Sequence, residues 1–171
     1  MRFFIFLEEK NGQKFNGKGE GVLSETSFKF NIYDNFFDRL LATVLVTTDE
    51  GISVYVYNER TGYFIKNNEL GTIFTRNFYQ LFKKERGEGL SIEKAFKDNE
   101  KDFNVKCKVL KVKNSLPQRV LFEINSFDNE GGHIVFDILE AGDIPVNVPD
   151  SFNFSDYYDT SNLFEFLRSL Q

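Results

Sequence analysis

The chain has no tryptophan, one methionine, one cysteine and one histidine among 171 residues. Each scarcity removes a class of chemistry. A single cysteine, Cys107, excludes an intrachain disulfide and a multi-cysteine zinc site. A single histidine, His133, excludes a multi-histidine metal centre and weakens most general-base schemes. No apolar run is long enough to cross a bilayer as a helix. The stretch Phe3 to Leu7 is too short for a signal-peptide core, and Glu8 and Glu9 follow it at once. These absences predict a cytoplasmic protein, away from membranes and without a cofactor, in which Cys107 is a small buried hydrophobe.

What is abundant is phenylalanine, with 21 residues. The ring carries a large apolar area and no polar handle, so most should enter the core. There are more than one compact core comfortably hides, which predicts that some lie at a partner surface. The length suits a single domain over 1–171. The net charge of −5 is uneven. Residues 76–113 hold 11 basic and 6 acidic side chains, a net of +5, whereas residues 114–171 hold 2 and 10, a net of −8. A charge map this polar suits recognition of a charged partner.

The clearest local pattern is the stretch Phe103 to Leu139. Phe103, Val105, Cys107 and Val109 alternate with Asn104, Lys106 and Lys108. Val120, Phe122 and Ile124 do the same, and so do Ile134, Phe136 and Ile138. A period of two marks half-buried strands, and turn residues at 114–117 and 128–132 join them into an antiparallel meander. The alternation shifts phase between Val109 and Leu110, which predicts a bulge.

Arg2–Leu7 and Ser27–Tyr33 also read as strands. A short helical turn near 34–39 leads to strands over about 41–48, 52–57 and 63–66. The Gly- and Lys-rich segment Lys10–Gly21 reads as a mobile hairpin tip. Thr72–Arg86 carries Phe74, Phe78, Leu81 and Phe82 at helical spacing, and Ser91–Phe96 reads as a second short helix. Ile144–Tyr158 reads as a loop fixed by Pro145 and Pro149. A final helix is expected from Ser161 or Asn162, with Leu163, Phe166, Leu167 and Leu170 as its apolar stripe. The fold expected is therefore α+β: antiparallel meanders in one bent sheet or two packed sheets, a central helical pair and a C-terminal helix.

Several constellations could carry function. Phe152, Phe154, Tyr157 and Tyr158 are interleaved with Asp150, Asp156 and Asp159. The rings supply contact area and the carboxylates steer a basic protein partner, so this segment predicts a docking surface. The leading functional expectation is a non-enzymatic protein-binding module that acts by covering a site on its partner, as inhibitors, immunity proteins and anti-defence proteins do. Lys106, Lys108, Lys111 and Lys113 lie along one strand and could instead track nucleic-acid phosphates. Glu123 and Asp137, with Asp128 and Glu130, could hold a divalent cation or share acid–base work in an enzyme. A Cys107–His133 dyad is a further reading, since a thiolate nucleophile needs a nearby base. Gly17, Gly19 and Gly21 with Lys14 and Lys18 resemble a phosphate-cradling loop, but the spacing fits neither standard glycine motif.

Overall fold

The computed structural model describes residues 1–83, 89–98, 101–126, 131–142, 148 and 157–159. Among these residues the strands are β1 (Arg2–Glu9), β2 (Lys14–Leu23), β3 (Ser27–Tyr33), β4 (Leu40–Thr47), β5 (Gly51–Val56), β6 (Thr61–Ile65), β7 (Ser91–Asp98), β8 (Lys101–Lys113), β9 (Leu116–Ser126), β10 (Gly131–Glu140) and β11 (Tyr157–Asp159). They form one sheet in the order β11-β6-β5-β4-β3-β2-β1-β10-β9-β8-β7. Neighbours are antiparallel except β11, which runs parallel to β6. Two meanders, β1–β6 and β7–β10, are joined where β10 pairs with β1, so the N-terminal strand sits at the centre.

One helical segment links the meanders: α1 (Asn68–Thr72), a π-helical turn (Ile73–Asn77) and α2 (Phe78–Lys83). Asn67 starts it, its Oδ1 accepting from the Leu70 amide at 2.8 Å. Phe74, Phe78 and Leu81 are buried against the sheet's inner face. There Phe78 meets Phe28 of β3, Phe122 of β9 and Phe136 of β10, with ring centroids 5.5, 5.3 and 5.2 Å away. Strands far apart in the sheet order thus converge on one ring, so the sheet curls around the helix.

The inner face is close to wholly apolar. Phe3, Ile5 and Leu7 of β1, Phe28, Phe30 and Ile32 of β3, and Val105, Cys107 and Val109 of β8 are all buried. The period-two alternation read from the sequence is the alternation seen. The bulge is present as well: pairing of β8 with β9 shifts between Val109 and Lys111.

The α+β expectation is corrected: among the described residues the fold is β-rich, a single sheet rather than two packed ones, with one short helical segment rather than a helical pair. Ser91–Phe96, read as a helix from its Ser cap, lies in β7, with Ser91 opposite Lys108 and Phe96 opposite Phe103. An unpaired edge of β8 offers this short segment a complete row of backbone partners, which outweighs a weak helical signal. The expected C-terminal helix lies outside the described residues.

The Gly- and Lys-rich segment is corrected too. Most of it is β2, between β1 and β3, rather than a mobile tip. Gly17, Gly19 and Gly21 face inward, and a Cβ at Gly19 would overlap the Phe3 ring. Glycine here makes room for a neighbour's aromatic side chain. Within the expected 144–158 loop, Tyr157 and Tyr158 belong to β11, paired with Gly62 and Tyr63. No helix among the described residues is long and apolar enough to cross a membrane.

Candidate functional site

The turn between β3 and β4 holds the most exposed large apolar side chains among the described residues. Phe36 and Phe37 are 88% and 87% exposed. The turn is nevertheless tightly tied. Asp34 Oδ1 accepts from the Phe36 and Phe37 amides at 2.9 and 2.5 Å, and Oδ2 accepts from the Arg39 amide at 3.1 Å. The Asp34 amide in turn donates to the Arg39 carbonyl at 3.0 Å. These amides, led by that of Phe37, hold the Asp34 carboxyl below the ordinary carboxylate value. Two side-chain contacts pin the turn to β2: Lys18 Nζ to Asp38 at 2.6 Å, and the Asn35 amide to Asn16 Oδ1. Asp38 takes a positive φ of 52°, a conformation that aspartate tolerates better than most residues. The rings are therefore held out by their backbone.

Asn16 sits directly opposite Phe6 of β1 on the sheet's outer face. Phe6 is opposite Val135 of β10, which is opposite Leu121 of β9. Phe4 lies beside Phe6, ring centroids 6.5 Å apart. An apolar row thus crosses the outer face and ends against the pinned turn. The next row is charged. Lys14, Glu8, His133, Glu123, Lys106 and Glu93 follow one another across β2, β1, β10, β9, β8 and β7. Ion pairs lace it, Lys14–Glu8 at 3.0 Å and Lys106–Glu93 at 3.6 Å, and His133 Nε2 lies 3.3 Å from a Glu8 carboxylate oxygen. Opposite charges across neighbouring strands support the register.

The residues singled out from the sequence separate accordingly. Lys106 and Lys108 face outward but are bound to carboxylates, Lys108 to Glu123 at 2.6 Å. The bulge brings Lys111 opposite Arg119, and Lys113 pairs with Leu116 at the strand end. Glu123 and Asp137 are not neighbours. Glu123 stands opposite His133, four residues from Asp137 and so roughly 13 Å along the strand. Asp137 is held by Arg119 through two contacts of 2.5 Å. Asp128, Glu130, Asp150, Phe152, Phe154 and Asp156 lie outside the described residues. Of the docking segment, Tyr157, Tyr158 and Asp159 are placed by their backbone in β11.

Cys107 and His133 do not meet. Cys107 is 1% exposed on the inner face, whereas His133 is outward, bound to Glu8. Burial pushes the Cys107 thiol far above its ordinary value, so no reactive thiolate forms. Thiol-labelling reagent should accordingly leave the native chain unmodified and react at the rate of unfolding. Rapid stoichiometric labelling under native conditions would contradict this placement.

Sequence reasoning missed the Phe36–Phe37 turn as a site, because the short helical turn expected near 34–39 says nothing of which side chains stay exposed. The available signal was the excess of phenylalanine over what a core can hold. No protein-family model matches the chain, and no curated protein matches it. Among solved structures, a redesigned β-barrel is similar over 81% of this chain and 90% of its own, with 8% identity and a TM-score of 0.34.

Proposed function

We propose that this chain is a non-enzymatic protein-binding module that docks through the Phe36–Phe37 turn and the adjoining apolar row, covering a site on its partner. The observation that carries this reading is the exposure of two adjacent rings on a turn that is already ordered. Burying a Phe side chain contributes about 1.5–3 kcal/mol, and a pre-ordered turn avoids most of the entropy of fixing it. The net charge of −5, concentrated as −8 in residues 114–171, favours a partner with a basic surface and speeds its approach. The aromatic, acidic segment Phe152–Asp159 is a second docking element in the same reading. The lysine row is the weaker candidate surface, because Lys106 and Lys108 are already neutralised by Glu93 and Glu123.

The test is affinity capture from the native host with the wild-type chain, a Phe36→Ser/Phe37→Ser variant and a Tyr157→Ala/Tyr158→Ala variant, each with and without nuclease. The turn variant should keep its stability to within about 0.5 kcal/mol, as exposed sites do, yet lose the captured protein. Loss only in the tyrosine variant would move the docking surface to the C-terminal segment. Capture that disappears with nuclease would replace this reading with nucleic-acid binding.

A further inference from the structure

Three rows of side chains cross the outer face of the sheet at successive heights. In the first, Glu8, His133, Glu123 and Lys106 follow one another across β1, β10, β9 and β8. In the second the order is Phe6, Val135, Leu121 and Lys108, and in the third Phe4, Asp137, Arg119 and Lys111. Phe6 keeps 40% of its surface exposed, and Val135 and Leu121 beside it are only half-buried. An apolar centre with a charged border is the usual form of a protein contact surface.

The rows are complementary to themselves. A two-fold axis parallel to the strands, over the gap between β10 and β9, sets each row against its own reverse. Val135 then meets Leu121 of the second copy, His133 meets Glu123 and Asp137 meets Arg119, each contact occurring twice. One strand further out, Glu8 meets Lys106, and the Phe6 and Phe4 rings meet the ammonium groups of Lys108 and Lys111. Other axes fail. Moved one gap towards β1, the axis sets Lys18 against Arg119; moved one gap towards β7, it sets Lys111 against Arg119. Placed on β10 or on β9, it sets Glu123 against Glu8 or against itself. Cross-strand pairing within one sheet accounts for alternating charge, but it does not require all three rows to share one axis.

We infer that the outer face of β1, β10, β9 and β8 pairs with a second copy of this chain, in an isologous dimer whose axis runs over the gap between β10 and β9. Sheets packed face to face lie about 10 Å apart with strands within about 30° of each other, so the rows stay in register near the axis and drift out of it beyond β1 and β8. The sheet curls around the helical segment, which makes this face convex and keeps the contact small. The dimer is accordingly weak, with a Kd of about 100 µM. The net charge of −5 on each chain opposes association, but the three rows hold more basic than acidic side chains, so that charge is not concentrated at the contact. The inference goes beyond the docking reading above: it gives the apolar row to a second copy and leaves the Phe36–Phe37 turn, at the row's outer end, to the partner protein.

The test is sedimentation equilibrium of the full chain from about 5 to about 500 µM, a span that brackets the expected Kd. The wild-type chain should show a reversible monomer–dimer equilibrium. Arg119→Asp and Asp137→Arg each put two like-charge pairs at the axis, and each variant alone should stay monomeric over that range. An equimolar mixture of the two should recover the dimer, because every like pair then becomes an opposite pair. Leu121→Lys leaves the Arg119–Asp137 pair intact and should also be monomeric, with the circular dichroism spectrum of the wild type. Phe36→Ser/Phe37→Ser should dimerise as the wild type does. The inference is overturned if the wild-type chain is monomeric throughout, if either charge variant dimerises alone, or if their mixture stays monomeric. Loss of the dimer in the Phe36→Ser/Phe37→Ser variant would place the contact at the turn and overturn it as well. Capture of a partner protein through the turn does not depend on any of these outcomes, so the two readings fail separately.

Discussion

Phe78→Ala is expected to lower the unfolding free energy by about 3–5 kcal/mol, the largest loss from any single side-chain truncation among the described residues. Phe78 is fully buried and is the ring through which the helical segment grips both meanders. It touches Phe28 in the first meander, Phe122 and Phe136 in the second, and Phe82 on its own helix at 5.4 Å. Truncation removes apolar burial and also opens a void lined by stiff aromatic neighbours, which collapse poorly into it. Denaturant titration followed by circular dichroism measures the effect. A loss below about 1 kcal/mol would mean that the sheet holds its curl without the helix.

Gly51→Ala is expected to destabilise by several kcal/mol, although it adds a single methyl group. Gly51 opens β5 with φ of +105°, in a region that L side chains avoid at a cost of about 1–3 kcal/mol. A Cβ there would also overlap the Ile65 carbonyl oxygen and lie 2.7 Å from the Asn67 amide nitrogen. Both obstacles are backbone, so neither can rotate away. They also lie where β6 gives way to α1, and Asn67 is the residue that starts the helix. The substitution should therefore loosen the seat of the helical segment as well as the β4–β5 hairpin. Hydrogen exchange should show protection lost over 65–72 together with 47–52; loss confined to the hairpin would contradict the coupling.

The strands were legible because their cause is local. Phe103, Val105, Cys107 and Val109 face one way by the pleat alone, and nothing distant is needed to read that. The buried stripe of Phe74, Phe78 and Leu81 was legible for the same reason, although the helix starts earlier, at Asn68, under the Asn67 cap. β7 was not legible. Its eight residues carry a Ser cap and mixed polarity, and only the waiting edge of β8 makes it a strand. β2 was not legible either. Glycine at every second position from Gly17 to Gly21 reads locally as flexibility, and the Phe3 ring that fills the space comes from another strand.

The candidate surfaces divide along the same line. The lysine row was visible in the sequence, but its neutralisation depends on Glu93 and Glu123, which two different strands bring alongside. The Cys107–His133 pairing was imaginable because both lie in one meander; the pleat puts them on opposite faces. Residue order by itself determined the strand alternation, the bulge after Val109 and the shortage of proton-moving and metal-binding groups, because these depend on a residue and its near neighbours. Tertiary structure alone decided that the two meanders join into one sheet around a helix, and which rings stay outside. Those outcomes depend on which distant backbone edge or side chain fills each space, and no short stretch of chain carries that information.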